Sequence, residues 1–336
     1  MDLSIGLIGA GDIGTDHARR LSTRVRGARV HAVSDVEPGR AQVLAAEVGA
    51  VAHKGAQDVI DDPAVEAVLI AAPGPVHAQL TLACISARKP VFCEKPLAPT
   101  VSECLKVMEA ESATGSRLVQ VGFMRRYDEG YRRLKRTVED GSIGAVLLAH
   151  CAHRNAKSPL STTSEMLLTE SVVHEIDAAR WLLSDELVAV RVLTPVKSPL
   201  APEHLRDPQL VLLESASSVL VEVEVFVNCQ YGYDVRCELV GSVGTASLEL
   251  PSTGARTTAG ARREPVPADW KERFGGAYTE ELQQWAQCVR AGTISGPSSF
   301  DGYAATAVAE ACVRSLGTGQ REEVILQARP AIYSRP

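Results

Sequence analysis

The stretch VFCEKPLAP (91–99) runs from an apolar segment into Glu94 and Lys95 and is stopped by Pro96. Ionic side chains at the end of a buried strand are costly unless they are paired or used. Lys95 is therefore a first candidate for chemistry. A second lies in LLTESVVHEIDAARWLL (167–183), where helical periodicity puts Glu170 and His174 four residues apart on one face. A carboxylate one turn from an imidazole can hold one ring nitrogen and leave the other for proton transfer. Asp177 and Arg180 on the same helix read as solvated or structural charges. A third feature is IGLIGAGDIGTDHA, with Gly9, Gly11 and Gly14 spaced as G-x-G-x-x-G. The spacing suits a turn that brings backbone close to a pyrophosphate at a helix N-terminus.

These residues need elements to carry them. The first third of the chain alternates short β-branched runs (3–8, 29–34, 67–72, 90–94, 117–123) with helical patterns (14–25, 38–49, 76–87, 100–115). That alternation predicts an α/β, doubly wound parallel sheet covered on both faces, over residues 1–122. The glycine motif then follows a strand and opens a helix, the context that gives it meaning. The second strand ends in Asp35, 21 residues after Gly14. An acid there accepts hydrogen bonds from the adenosine ribose and repels a 2′-phosphate. Val36 follows, and the nearest cation, Arg40, sits a turn into the next helix, so NAD is expected in preference to NADP. The loop AAPGPVHAQ (71–79), with Pro73 and His77, and the FCEKP turn fall at the carboxyl edge of the sheet, which places Lys95 beside the nicotinamide end. The expected cofactor contacts are Gly9, Gly11, Ile13, Gly14, Asp35, Val36, Pro73, His77, Glu94 and Lys95.

The pattern changes after residue 122. Helical stretches at 128–140, 164–184, 275–292 and 301–317 are mixed with strand-like runs at 144–155, 187–195, 209–215, 218–228 and 233–241. VLVEVEVFV alternates apolar and polar in its middle, as a half-exposed antiparallel strand does. Residues 251–268 read as a loop rich in Pro, Gly, Thr and Arg. Residues 123–336 are thus expected to form an α+β domain with an open, mainly antiparallel sheet. Polar and aromatic segments there, with His153, Tyr233 and Tyr278, suit a polyhydroxylated ligand.

Net charge is −6 over 336 residues, which argues against nucleic-acid binding. The eight cysteines form no CxxC pair or zinc-type spacing and read as reduced thiols of a cytosolic protein. The N-terminus lacks a basic signal-peptide region, and no apolar run reaches the roughly 18–20 residues of a membrane span. No metal-ligand cluster is evident.

Taken together, GLIGAGDIG, SDV, FCEKPL, GFMRRYD, HCAHRN, HEIDAARWLL and NCQYGYDVRCELVG resemble the glucose–fructose oxidoreductase/inositol dehydrogenase (Gfo/Idh/MocA) family from Ile5 to about Leu326. VGFMRRYD, CAHRN and YGYD are narrower and point to its inositol branch. The resemblance implies an N-terminal Rossmann domain, a C-terminal α+β domain for substrate binding and oligomerisation (often as a homotetramer), and NAD-dependent oxidation of a ring secondary hydroxyl, with myo-inositol the first candidate substrate. It implies that Lys95 stabilises the reacting oxygen and His174 takes its proton, with Glu170 as their catalytic partner. Met124, Arg125, His153, Asn155, Tyr233 and Tyr278 are the implied substrate contacts. One departure stands out: Glu170 occupies a position where inositol dehydrogenases carry Asp. It keeps open another inositol isomer, a methylinositol or a pyranose as substrate. A non-catalytic NAD-binding sensor and redox-neutral glycoside cleavage are the readings from other classes.

Overall fold

The structure, a computed structural model, describes residues 2–248 and 256–334. The first strand, β1 (Leu3–Ile8), is buried along its whole length, as expected of a parallel strand covered on both faces. It is followed by α1 (Asp12–Thr23), β2 (Ala28–Ser34), α2 (Pro38–Val48), β3 (Val51–Ala52), α3 (Ala56–Asp61), β4 (Ala67–Ile70), α4 (His77–Ser86), β5 (Val91–Glu94), α5 (Val101–Ala113) and β6 (Val119–Gly122). The strands lie in the order β3-β2-β1-β4-β5-β6, every pair parallel. This is the doubly wound order, with its topological switch point between β1 and β4. The short β3 and α3 had no signature in the sequence: two exposed strand residues and a helix of under two turns carry too little periodicity.

The second sheet belongs to a different architecture. Its elements are α6 (Glu129–Glu139), β7 (Val146–Arg154), α7 (Val173–Leu183), β8 (Leu187–Leu193), β9 (Gln209–Ser215), β10 (Leu220–Phe226), β11 (Asp234–Gly241) and β12 (Thr245–Ser247). After the hairpin β13 (Arg256–Thr258) and β14 (Ala261–Arg263) come α8 (Trp270–Arg290), α9 (Ser299–Thr318) and β15 (Glu322–Glu323). Seven strands form the sheet β12-β11-β7-β10-β9-β8-β15. It is antiparallel except that β10 runs parallel to β7. The hairpin lies inside the stretch expected to be loop, of which 251–255 fall outside the described residues. The helix expected over 164–184 is two segments: a wide π-helical turn, Leu167–Val172, leads into α7.

The chain divides into two compact units, and not at a single point. The first holds the residues up to Met124, then Tyr278–Thr306 and the stretch from Leu326 onward; the second holds Arg125–Ala277 and Ala307–Ile325. The sequence had assigned everything after residue 122 to the second. Periodicity shows that α8 buries a face but not which sheet receives it. In the structure Leu282, Trp285 and Ala286 join the core of β1, β2 and β4, and the Trp285 ring stands edge-on to Phe92 with centroids 5.6 Å apart. The C-terminal stretch is tied down by a buried carboxylate. Glu111 accepts the Tyr333 hydroxyl at 2.7 Å and the Ser299 hydroxyl at 2.6 Å, while its other oxygen takes the N–H groups of Leu118 and Val119.

Truncating Trp285, a fully buried residue of the first unit's core, should cost about 3–5 kcal/mol in a Trp285→Ala variant. Urea unfolding followed by circular dichroism measures this; a loss under about 1 kcal/mol would mean that α8 does not complete that core.

Candidate active site

The first unit supplies a phosphate-type turn. Gly9 has φ +102°, and a Cβ there would meet the Ala71 carbonyl oxygen at 2.5 Å, so no other residue fits without moving β4. A Cβ on Gly14 would collide with the Gly9 carbonyl, whereas Gly11 faces open space. Helix α1 begins directly after Gly11 with no side chain capping it, leaving the first-turn N–H groups for an anion. Ile13 packs against the core below. The Asp35 carboxylate is pinned by the N–H of Ala10 at 2.6 Å and of Glu37 at 2.8 Å, which holds it against the glycine turn. Val36 is 91% exposed and offers no charge to a 2′-phosphate. These features fit the adenosine and pyrophosphate of NAD.

At the ends of β4 and β5 the structure gives two expected cofactor contacts partners within the protein. Glu94 is buried, with one oxygen 2.7 Å from His17 Nε2 and the other accepting the Lys95 N–H at 3.1 Å. His77 is also buried, and both its ring nitrogens lie 2.7 Å from backbone carbonyls, those of Pro96 and Ala72. Both side chains tie protein elements together here: both His77 ring nitrogens are engaged by backbone, and each Glu94 oxygen has one partner within the protein. Pro73 opens the turn Gly74–Val76, and a Cβ added to Gly74 would lie 3.6 Å from the Pro96 ring, so the two loops run close together. Lys95, half-buried, follows β5 and is joined to Pro96 by a cis peptide. Tyr278, an expected substrate contact, packs its ring 5.6 Å from His17, with the Arg20 guanidinium 5.8 Å from it. His17 was missed in the sequence. Its partner Glu94 is 77 positions away, and no local pattern announces that pairing.

The second unit builds a polar cluster around Arg125. Met124 and Arg125 open a short 3₁₀ turn, and both are buried. The Arg125 guanidinium is ion-paired with Glu175, lies 3.2 Å from His153 Nδ1 and donates to the Tyr131 hydroxyl at 3.4 Å. It also lies over the rings of Tyr131 and Phe274. Arg125, an expected substrate contact, is thus engaged by Glu175, His153 and Tyr131. Burial alone would raise the Glu175 carboxyl, but Arg125 and His153 outweigh it and hold it below the usual range. Arg126 grips Asp177 through two bonds of 2.9 and 2.5 Å, and Arg180 grips Glu186 likewise, so both helix charges are structural and neither is solvated.

Two adjacent arginines thus hold acids two residues apart on α7. Two residues are about 200° of helix rotation, so the pairs act on opposite sides and fix the turn of the helix about its axis. His174 sits directly before the first of them. Its buried ring is 6.4 Å from the His153 ring, which in turn meets Tyr233 edge-on at 5.7 Å. Burial pushes the Tyr233 phenol up to about 12, keeping it neutral. Asn155 follows β7; its backbone bonds to Phe226 and Cys229, while its buried Oδ1 has no hydrogen-bond partner among the described residues. Glu170 is exposed and lies in the π-helical turn, where i→i+5 bonding replaces the α-helical register assumed for its spacing to His174. Glu175 is the functional side chain that sequence reasoning missed: its neighbour His174 drew attention, and its partner lies 50 residues away.

Comparison with known proteins agrees with this geometry. A family model described as an oxidoreductase family with an NAD-binding Rossmann fold matches residues 3–123, and its C-terminal alpha/beta domain matches 135–324. Inositol 2-dehydrogenase 3 of Saccharopolyspora erythraea is 50% identical over 333 residues, 99% of this chain and 98% of that protein. Inositol 2-dehydrogenase of Ralstonia nicotianae is 48% identical over 335 residues, 99% of each. The crystal structure of myo-inositol dehydrogenase from Lactobacillus casei in complex with NAD(H) and myo-inositol matches with a TM-score of 0.97 at 32% identity, covering 99% of this chain and 100% of that one.

Removing Glu175's charge leaves a buried guanidinium uncompensated, so Glu175→Gln should cost about 3–5 kcal/mol at neutral pH. Because the folded carboxyl is depressed, its stabilisation is complete above the ordinary value of about 4.5 and is lost as pH falls through the depressed one. Urea midpoints measured across that range should converge for wild type and variant only at the acid end; a constant gap would contradict the pairing.

Proposed function

The chain belongs to the Gfo/Idh/MocA oxidoreductase family, and from that premise we propose that it oxidises a ring secondary hydroxyl of myo-inositol to an inosose with NAD⁺. The observation that carries the reading is the second unit's cluster: His174 beside His153, which meets Tyr233 edge-on, a buried set of imidazole and phenol groups suited to a ring of neutral hydroxyls.

When bound, NAD⁺ supplies the hydride acceptor. Gly11 and the start of α1 hold its pyrophosphate, and Asp35 its ribose hydroxyls. His174 accepts the proton of the reacting hydroxyl as the carbon–oxygen double bond forms. Lys95 donates a hydrogen bond to that oxygen and stabilises the negative charge it develops. His153, with Nδ1 facing Arg125 and Glu175, presents Nε2 to a further hydroxyl, and the Asn155 amide oxygen accepts from another. Glu170 contacts the ring through an arm one methylene longer than Asp. That length favours a second reading, oxidation of another inositol isomer or a methylinositol, which steady-state rates on a cyclitol and pyranose panel separate.

The same reading makes the enzyme a cytoplasmic homo-oligomer, a tetramer by family resemblance. Its support is the outward face of the second sheet, where Leu193, Leu210, Leu212 and Phe226 lie at least partly exposed beside the pairs Arg154–Glu224 and His150–Glu222. A monomer in sedimentation velocity would remove it.

His174→Ala should lower kcat on myo-inositol by on the order of 10²–10⁴-fold with NADH affinity kept. A near-normal rate would take His174 out of the reaction. Asp35→Ser combined with Val36→Arg should raise kcat/KM for NADP⁺ relative to NAD⁺ by at least about tenfold; an unchanged ratio would mean that the ribose is held elsewhere.

A further inference from the structure

His77 is the most enclosed imidazole of the cofactor half after His17, at 1% exposure. Its Nδ1 is 2.7 Å from the Pro96 carbonyl oxygen and its Nε2 is 2.7 Å from that of Ala72. A carbonyl oxygen can only accept, and a neutral imidazole carries one N–H. With a neutral ring, one nitrogen lone pair would press against a carbonyl lone pair in a buried site, which is worse than a hydrogen bond merely left unmade. Only the doubly protonated ring satisfies both contacts.

We propose that His77 is an imidazolium at neutral pH, and that it serves as a positioning residue, fastening the loop after β4 to the turn that carries Lys95. The two carbonyls it joins are those of Ala72, two residues after β4, and of Pro96, the residue after Lys95. Neither loop has another buried cation bridging it in this way among the described hydrogen bonds. The positioning claim rests on the role assigned to Lys95; the charge on the ring does not.

The surroundings bear on the charge from each side. Burial disfavours it, and so does the start of α4, where the helix dipole opposes a cation. Cys93 on β5 and the two carbonyls favour it, and the balance lifts the ring to about 9. Cys84, on α4 itself, interacts with Cys93, and Glu94 at the end of β5 is turned to His17. Two charge-assisted hydrogen bonds of short length outweigh the partial charge of a helix end. Since the folded value is raised, the clamp's contribution is full below the ordinary histidine value of 6.5 and is lost as pH rises through about 9.

Neutron crystallography of the wild-type enzyme at near-neutral pD reads the charge directly. Deuterium on both ring nitrogens of His77 is expected; density on one alone overturns the imidazolium. The positioning role is tested by a double-mutant cycle of His77→Gln and Lys95→Ala, followed by kcat on myo-inositol and by NADH binding. His77→Gln should lower kcat by on the order of 10–10²-fold while NADH affinity changes less than about threefold, as displacement of a catalytic group does. In the Lys95→Ala background the same change should cost almost nothing. Equal losses in both backgrounds overturn positioning, as does a Lys95→Ala enzyme of full activity, which also removes Lys95 from the proposed reaction. Should His77→Gln fail to bind NADH, His77→Asn, which keeps a side-chain donor, takes its place in the cycle.

Discussion

A guanidinium sealed from water has to be neutralised where it sits, and the second unit is arranged around that requirement at Arg125. The 3₁₀ turn supplies the cation, α7 the carboxylate, β7 the imidazole, and α6 and α8 the aromatic faces of Tyr131 and Phe274. Together with Arg126 and Asp177, this pair fixes α7 about its axis, and with it the direction of His174. Such a buried pair adds little net stability over a well-packed apolar substitute. What it contributes is a defined orientation for two imidazoles, which an apolar core of the same volume would not specify.

The first unit solves a related problem at the carboxyl ends of its strands. Those ends carry backbone carbonyls and acids that cannot be left bare when half-buried. Asp35 is satisfied by two N–H groups, Glu94 by His17 and the Lys95 N–H, and the carbonyls of Ala72 and Pro96 by His77. The loops around the expected nicotinamide position are therefore cross-tied by polar groups, which hold a loop to a fixed geometry better than non-directional apolar contact can. The neighbours of Lys95 on either side in sequence, Glu94 and Pro96, are both tied down.

Much of this was legible in the sequence because it is local. Short apolar runs alternating with helical periods gave the parallel sheet, and the spacing of Gly9, Gly11, Gly14 and Asp35 gave the cofactor turn. The illegible parts are those set by long-range pairing. The destination of α8, the partnership of Glu111 with Tyr333, and the ion pair of Arg125 with Glu175 each join positions more than 45 residues apart. The parallel pairing of β10 with β7 was hidden for the same reason, since alternation along a strand reports its exposed face and not its neighbour's direction. Glu94 and His77 fall at the carboxyl edge as the sequence suggested, but their partners there, His17 and the carbonyls of Ala72 and Pro96, were not legible, because residue type shows that a side chain can bond and not to what.

The central claim is that hydride leaves a ring carbon of myo-inositol for NAD⁺. Incubating the enzyme with NAD⁺ and myo-inositol deuterated at C2, then weighing the reduced cofactor by mass spectrometry, tests it directly. The account predicts NADH carrying one deuterium, together with an inosose. Reduced cofactor without deuterium would mean that another carbon is oxidised, and no reduction, with NAD binding intact, would contradict myo-inositol as the substrate.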